Sequence, residues 1–306
     1  MQDEIMVKYG KKIKFRRVWP LLVLMLPSLL YTILLDYIPM YGIVIAFQDF
    51  KVKQGYFGSE WVGLKHFKRF LAYPGFWELV RNTLGITLYS FAVFPIPLVM
   101  ALLLNEVKNQ RFKKTVQMVT YAPHFISTVV LCGMIRLFVD RDGILGNLYT
   151  FITGERENLL TIPGLFRHIY IWSGVWQGTG WSTIIYMAAL AGVSSELIEA
   201  AKIDGAGRLQ VIWHINIPSI LPTVTILLIM KCGGILSVGF EKVYLLQNDL
   251  NLDVSSIIST YVYELGILGG QFSYSAAIGF FNTIVNLGLL LIVNVITRKL
   301  SGTGLY

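Results

Sequence analysis

The stretch EAAKIDGAG, residues 199–207, which runs on to INIP at residues 215–218, decides how this chain folds. It belongs to a segment with five charged side chains within thirteen residues: Glu196, Glu199, Lys202, Asp204 and Arg208. Long apolar runs lie on both sides of that segment. Because hydrocarbon cannot solvate such a density of charge, the segment must lie in water at the face of a membrane. The sequence therefore predicts apolar spans that are joined here by a polar loop.

The composition of the whole chain agrees with a membrane protein. Of 306 residues, 55% are hydrophobic and only 14% are charged, and the mean hydropathy is +0.60. Values this far from the soluble norm predict an all-α integral membrane protein. The net charge of +8 does not indicate nucleic-acid binding, because many of the basic residues cluster just ahead of the first apolar run. That cluster consists of Lys8, Lys11, Lys12, Lys14, Arg16 and Arg17.

The apolar runs predict six transmembrane helices, each of about 20 or more residues, which is enough to cross roughly 30 Å of hydrocarbon. The predicted spans are Val18–Ile38, Leu79–Leu104, Thr115–Phe138, His168–Val193, Pro218–Phe240 and Ser275–Thr297. Pro95 and Pro97 predict a kink in the second span. A cleaved signal peptide is the weaker alternative for the first span, because the run is long and no small-residue cleavage site follows it.

Six spans place both termini on the same side, and basic flanking segments place that side in the cytoplasm. The outer loop Glu241–Glu264 is acidic and agrees with this topology, whereas the first outer loop is basic and fits it less well. In that first loop, Leu64, Phe67, Phe70 and Leu71 fall on one helical face. This amphipathic segment is expected to lie in the headgroup layer or to pack on neighbouring subunits.

The chain has no motif for chemistry of its own. It lacks a G-x-x-x-x-G-K-[ST] loop, an H-E-x-x-H sequence and a Ser/His/Asp grouping. No His/Cys group has the spacing of metal ligands, and Cys132 and Cys232 are expected to be buried free thiols. Ion-coupled carriers usually place acids at membrane depth, but Asp36 and Asp140 are predicted at helix ends. If the protein performs work, its energy must therefore come from outside the chain; otherwise the protein is passive.

The polar segment itself predicts a helical hairpin. Ser194 or Ser195 is expected to cap a short helix, and Gly205 allows a backbone reversal that other residues resist. A second short helix through Leu209, Ile212 and Trp213 leads back to the bilayer, where Pro218 opens the fifth span. The hydrophobic residues around Trp213 are expected to anchor this second half.

The spacing EAA, three residues, Gly, nine residues, Ile, one residue, an aliphatic residue and Pro resembles the EAA loop of bacterial ABC importer permeases. Ile217 stands where the family pattern has Leu, a change of little consequence because both are aliphatic. Other segments are similar to the carbohydrate branch, and more narrowly to its polysaccharide-permease (LplB-like) group. They are YIPMYG at 37–42, ALLLNE at 101–106, YAPHFIS at 121–127 and IDGA at 203–206.

The resemblance implies a maltose-permease-like (MetI-like) five-helix core with a cytoplasmic EAA coupling helix. Together with the charge and hydropathy pattern, it predicts a basic segment 1–17, an extra span with the amphipathic segment at 18–74, the permease domain at 75–300 with its loop 194–217, and a tail 301–306. The residues expected to couple to the ATPase are Glu199, Ala200, Ala201, Asp204, Gly205, Arg208, Ile215, Ile217 and Pro218.

The same resemblance implies the partners and the activity. They are a second homologous permease, two ABC ATPases and an extracellular sugar-binding lipoprotein, in a bacterial cell membrane whose lipid surrounds the spans. ATP and Mg would be bound by the ATPases, and no cofactor by this chain. Oligosaccharides or polysaccharide fragments would be imported by alternating access.

Polar residues within the spans are candidates for the substrate path. Trp176, Gln177, Trp181 and Tyr186 combine rings with polar edges, which suit sugars, although an interfacial aromatic belt is the alternative. Asn282 and Asn286 lie one turn apart, and amides of this kind also join helices. Lys231 lies within the fifth span, where it lines the path or snorkels to the surface.

Two rival functions have sequence demands of their own. A membrane-embedded transferase needs a catalytic acid or histidine facing a cavity, and an ion-coupled carrier needs a buried acid. Neither is evident in the sequence, so the importer permease is the favoured prediction.

Overall fold

The computed structural model describes residues 15–301, which are almost wholly helical. Lys8, Lys11, Lys12 and Lys14 of the basic cluster, and residues 302–306 of the tail, lie outside the described residues. The main helices are α1 Phe15–Thr32, α2 Lys65–Leu71, α3 Phe76–Ala92, α4 Pro95–Glu106, α5 Gln110–Tyr121, α6 Thr128–Val139, α7 Ile144–Thr153, α8 Pro163–Ala191, α9 Ser195–Ile203, α10 Arg208–Val211, α11 Ile217–Cys232, α12 Phe240–Leu246, α13 Ile258–Tyr263 and α14 Phe272–Ser301. Strands β1 Gln48–Asp49 and β2 Glu60–Trp61 form a small antiparallel pair.

Shorter helical pieces connect these elements. The α-helical ones are Ile38–Met40, Gly55–Gly58 and Leu252–Ser255; the 3₁₀ turns are Tyr41–Phe47, Ala122–Phe125 and Leu159–Thr161; and the π turns are Ile33–Tyr37, Ile212–Asn216 and Glu264–Leu268.

Four helical stretches of the described residues are long and apolar enough to cross a membrane: Trp19–Phe47, Phe76–Glu106, Arg208–Cys232 and Phe272–Lys299. Two further pairs pass the same test together but are bent. Gln110–Phe125 and Thr128–Thr153 meet at 100°, and Pro163–Ala191 and Ser195–Ile203 meet at 72°. The number of spans is thus four, or up to six if each bent pair counts as one, and the predicted six lies at the upper end.

The first span is longer than predicted. It continues beyond Ile38 to Phe47 through a π turn at Ile33–Tyr37 and a 3₁₀ turn. Asp36 lies within that π turn, so the prediction that it stands at a helix end is wrong. In the second span, the helix is interrupted at Val93 and Phe94, directly before Pro95, where the two prolines predict a kink.

The third span is not the single helix Thr115–Phe138 that the apolar run suggests. The chain turns sharply between Phe125 and Thr128. Pro123 cannot donate the hydrogen bond that would continue α5, and Ser127 starts a new helix by accepting the Val130 N–H at 3.4 Å. Hydropathy alone does not reveal this bend, because the residues on both sides of it are apolar.

The fifth span also differs from its prediction. Its helix begins at Arg208 rather than Pro218 and ends at Cys232 rather than Phe240. Pro218 does not open it, because the helix is already formed before the proline. A π turn at Ile212–Asn216 precedes Pro218, and the α-helix continues from Ile217. The wider turn accommodates a residue that lacks an amide hydrogen and whose ring crowds the preceding turn.

The amphipathic segment packs on the chain itself. Phe70 of α2 is 1% exposed and belongs to a core cluster with Leu79 and Ile278, and the Phe67 ring lies 6.2 Å from the Phe280 ring. Of the predicted apolar face, Phe67 and Phe70 therefore pack inward, whereas Leu64 and Leu71 are exposed. Cys132 and Cys232 are buried and free, as predicted.

A second core cluster joins α4, α8 and α11. It consists of Ala101, Leu102, Tyr186, Leu190 and Ile220. Ile212 and Ile217, which follow the charged segment, pack against this cluster.

Candidate functional site

The predicted hairpin is present, and we define it as residues 195–217. Its first arm, α9, leaves α8 at an angle of 72°. Gly205 ends this arm with φ +84°, a conformation that other residues rarely adopt. The Ala206 N–H donates to the Ala201 carbonyl at 2.9 Å and the Gly205 N–H to the Lys202 carbonyl at 3.1 Å. These two bonds form a Schellman motif, which fixes the reversal of the chain.

The caps of the two arms differ from expectation in one respect. Ser194 occupies the N-cap position of α9, but its hydroxyl caps no backbone N–H. The second arm begins at Arg208, and the Gln210 side chain accepts the Gly207 N–H at 2.6 Å. The first arm thus begins without the predicted serine cap, and the turn between the arms is closed by Gly205 and Gln210.

Most of the predicted coupling residues are accessible. Glu199, Ala200, Asp204, Gly205, Arg208 and Pro218 are exposed, whereas Ala201, Ile215 and Ile217 are half-buried. Ile217 packs against the core cluster that contains Tyr186 and Ile220. The predicted residues thus form two groups: exposed residues on the outer face of the hairpin, and half-buried residues on its inner side.

Only some of the apolar residues predicted around Trp213 pack against the rest of the chain. Trp213 is 65% exposed and Leu209 is 71% exposed, so neither packs against the core of this chain. The neighbouring Val211 is buried, and Ile212 packs against the Tyr186 cluster. The helical register, which only the structure fixes, decides which of these apolar residues faces inward.

The outward face of the hairpin combines charge with unprotected apolar surface. Ile203, beside the turn, is 86% exposed. A notch of about 330 Å³ opens between the two arms. It is lined by Ala201, Asp204, Gly205, Ala206, Gln210, Val211, His214 and Ile215.

A larger cavity of about 490 Å³ opens beside α8, where α3 breaks before Pro95. It gathers residues that are far apart in sequence, and three of the predicted path residues, Gln177, Tyr186 and Lys231, line it. Tyr186 also belongs to the core cluster on which the hairpin packs. Tyr186 therefore contacts both the cavity and the cluster on which the hairpin packs.

Lys231 reaches into this cavity and does not snorkel away from it. Its Nζ donates to the Ser90 carbonyl at 2.5 Å. It also lies 5.1 Å from the centroid of the Phe91 ring and 5.3 Å from that of Phe94. Carbonyl and ring contacts hold the ammonium group without neutralising its charge.

A second lysine of the cavity, Lys242 of α12, was missed from the sequence. Its Nζ donates to the Tyr170 carbonyl at 2.8 Å and lies 4.8 Å from the centroid of that ring. A Cβ on Gly174 would stand 3.3 Å from this Nζ, so the glycine leaves room for the ammonium. Burial lowers the pKa of Lys242 to about 8. In the sequence, Lys242 is only the basic residue of an acidic loop, and nothing there indicates that it faces α8.

The other predicted path residues lie elsewhere. Trp181 stacks on His124 with ring centroids 4.5 Å apart, and Trp176 lines a separate apolar pocket. The Asn286 Oδ1 accepts the Leu236 N–H at 2.9 Å, and the Asn282 Nδ2 donates to the Leu236 carbonyl at 3.3 Å. The two asparagines thus join α14 to the non-helical segment after Cys232. Among the described residues, no group of three or more His, Cys, Asp or Glu could hold a metal ion.

Comparison with known proteins places these features in a family. Residues 93–302 match the family described as binding-protein-dependent transport system inner membrane component. The chain is 46% identical, over 94% of its length and 90% of the relative's, to the polygalacturonan/rhamnogalacturonan transport system permease protein YteP of Bacillus subtilis. It is 42% identical to protein LplB of the same organism, over 94% of this chain and 91% of the relative.

Solved structures agree with the sequence comparison. A chain of a bacterial ABC transporter involved in the import of the acidic polysaccharide alginate is 36% identical, with a TM-score of 0.85 over 94% of this chain and 98% of that one. A chain of the bacterial alginate ABC transporter in complex with alginate pentasaccharide-bound periplasmic protein is 35% identical, with a TM-score of 0.86 over 95% and 98%.

Proposed function

Because this chain belongs to the family of binding-protein-dependent transport system inner membrane components, we propose that its hairpin is the contact with an ATPase and its cavity is part of the sugar path. The chain is a permease subunit of an ABC importer for sugars, a transport protein rather than an enzyme. The rival functions, a membrane-embedded transferase and an ion-coupled carrier, are not favoured.

The hairpin carries the proposal for the ATPase. A charged segment lies in water, so lipid cannot account for the exposure of Ile203 at its tip. Exposed apolar surface rimmed by charge is typical of a protein-docking site. Two ATPase subunits, which bind ATP and Mg, would meet this face in the complex, and Glu199 and Arg208 would lie at the contact. The hairpin and both termini then face the cytoplasm.

A physical connection between the hairpin and the cavity supports alternating access. Ile212 and Ile217 pack against the cluster that contains Tyr186, and Tyr186 lines the cavity. ATP binding would close the ATPases, move the hairpin with them and tilt this permease against a second, homologous one. The cavity would then open to the outside, and hydrolysis would return it to the inside.

The outward-facing side would receive the sugar from an extracellular binding protein, since the alginate transporter was solved with such a periplasmic protein. Oligosaccharides or polysaccharide fragments are the proposed cargo, since the named relatives transport such polymers. The surrounding bilayer is that of a bacterial cell.

The test compares two glycines with the same backbone conformation in different places. Gly205 has φ +84° and Gly154 has φ +78°, and a Cβ at either would meet no atom within 4 Å. Replacing either with alanine therefore introduces similar backbone strain, of about 1 kcal/mol. We expect Gly205→Ala to lower sugar uptake and sugar-stimulated ATPase activity several-fold in reconstituted vesicles, and Gly154→Ala to leave both nearly unchanged.

A second variant, Glu199→Gln, tests whether the charge on the hairpin contributes to binding the ATPase. Glu196→Gln, which is also exposed on α9, is its matched control. We expect Glu199→Gln alone to weaken copurification of the ATPase, while sugar binding by the isolated extracellular protein is unaffected. Normal uptake and normal ATPase copurification in both the Gly205 and the Glu199 variants would refute the assignment of the hairpin.

A further inference from the structure

We infer that the cavity beside α8 is an anion site, in which Lys231 and Lys242 select sugars that carry carboxylate groups, such as uronic-acid oligomers. This inference rests on the proposed sugar path and names the class of sugar that the path accepts. The cavity, which is separate from the hairpin, would then determine which sugars are accepted.

The charged residues that line the cavity are all positive. Two ammonium groups line it, and none of the described residues that line it is Asp or Glu. In an environment of low dielectric, two like charges without a counter-ion are costly, and a ligand that brings negative charge relieves that cost. The cavity therefore favours an anion over a neutral sugar of the same size.

Both ammonium groups keep donors for a ligand. A lysine has three N–H donors, and the structure shows each Nζ donating to one backbone carbonyl, that of Ser90 for Lys231 and that of Tyr170 for Lys242. The aromatic faces beside them add attraction but remove no charge. The contacts thus position the cations and leave them able to bind carboxylate oxygens.

The rest of the lining suits a sugar. Ser182, Thr179 and Gln177 offer neutral hydrogen-bonding groups for hydroxyls, and Tyr170 and Tyr186 offer rings. Gly174 leaves room for the Lys242 ammonium against α8, and Gly178 leaves open space along the same helix. A volume of about 490 Å³ is within the usual range for a small-molecule site.

A purely structural role for the two lysines is the competing explanation, and it predicts no preference for charge. The two explanations separate when the ligand keeps its shape and loses its charge. Trigalacturonate and its fully methyl-esterified form are such a pair of probes.

The first experiment uses the unaltered complex without the extracellular binding protein. Lysines are acetylated with an N-hydroxysuccinimide ester and the rate at each site is followed by mass spectrometry. We expect trigalacturonate to slow labelling of Lys231 and Lys242 at least 5-fold, the methyl ester to have little effect, and the exposed Lys299 to label at the same rate throughout. Equal protection by the two probes, or none by either, would overturn the inference.

The second experiment measures uptake of both probes by vesicles that hold the whole complex. Lys242→Met and Lys231→Met should each reduce uptake of trigalacturonate about 10-fold and uptake of the ester less than 2-fold, relative to the unaltered chain. Because the binding protein is the same in every vesicle, its own preference cancels in these ratios. Lys299→Met is the matched control and should change neither.

The outcomes distinguish this inference from the proposed function. If the unaltered complex moves neither probe and neither stimulates ATP hydrolysis, the proposed importer function fails. If it moves sugars but the lysine variants lose both probes equally, only the anion site fails. A variant that does not assemble with the ATPase is replaced by Gly174→Ala, whose Cβ would crowd the Lys242 ammonium; it should lower uptake of trigalacturonate more than uptake of the ester.

Discussion

The hairpin and the cavity lie at two places along α8 and are built in opposite ways. The hairpin is one continuous piece of sequence, charged and exposed, with a single left-handed glycine at its turn. The cavity is assembled from four separated parts of the chain, and its two cations lie on α11 and α12 while most of its wall is α8. A local, exposed element can serve any ATPase-driven permease, whereas a lining gathered from several helices can be adapted to one class of cargo.

This difference makes the two regions experimentally separable. If the hairpin is the contact with the ATPase, changes in it should affect every transported sugar equally, because they alter the coupling to ATP hydrolysis and not the binding of the sugar. Changes in the cavity should alter the preference among sugars, because they act on the ligand. The three predictions below test this separation, beginning with the helix that both regions share.

The largest effect is expected at Gly180 of α8, where the helix lies directly against the chain before the bend of the third span. A Cβ at Gly180 would stand 2.1 Å from the Thr120 carbonyl oxygen, an impossible contact, whereas a Cβ at Gly178 would meet nothing within 4 Å. We expect Gly180→Ala to lower the free energy of unfolding by roughly 3 kcal/mol and Gly178→Ala to leave it unchanged or raise it slightly. Thermal unfolding in detergent measures both.

A lower melting temperature in Gly180→Ala, together with reduced uptake of both charged and neutral sugars by the same factor, would agree with α8 as the support of both regions. An unchanged melting temperature would show that α8 and the Thr120 backbone can separate freely, and the mechanical link between hairpin and cavity would lose its basis.

An intermediate effect is expected at the tip of the hairpin. Replacing Ile203, which is 86% exposed, with serine removes apolar surface that the ATPase would bury. The loss should be up to about 2 kcal/mol, or roughly 30-fold in affinity, measured by titrating the ATPase onto the permease. Ile144→Ser, at an exposed isoleucine of α7, is the control and should not change the affinity.

Sugar preference should be the same in Ile203→Ser as in the unaltered chain. A shift in the ratio of charged to neutral sugar taken up by this variant would contradict the separation of the two regions.

The smallest effect is expected from pH. Burial lowers the pKa of Lys242 to about 8, so its ammonium is mostly charged at pH 7 and mostly neutral at pH 9. The preference for trigalacturonate over its methyl ester should therefore decrease a few-fold as the pH rises through 8. Uptake of each probe at a series of pH values measures this ratio.

The control is Lys242→Arg, which keeps its charge at every pH in this range and should flatten the profile. This variant retains the other titratable groups around the site, namely Lys231, Tyr170, Tyr186, Cys132, Arg136 and Glu241. An equally steep profile in Lys242→Arg would assign the pH dependence to one of those groups or to a partner.

The sequence by itself determined the class of protein and the hairpin. Charge between apolar runs requires a membrane face, because hydrocarbon cannot solvate it. Gly205 marked the reversal because a left-handed conformation favours glycine, and the structure has φ +84° there. The spacing around Glu199 was specific enough to indicate the family that the comparisons then showed.

Only the tertiary structure decided the bend after Phe125, the continuous helix through Pro218, and the partners of the polar residues inside the spans. Hydropathy is a sum over neighbours in sequence, so it cannot register a turn between two apolar helices. Lys242 became a cavity residue because α12 packs against Tyr170 and Gly174, which lie about 70 residues away in the chain. Contacts over that separation depend on how helices pack, and a single sequence carries no direct record of them.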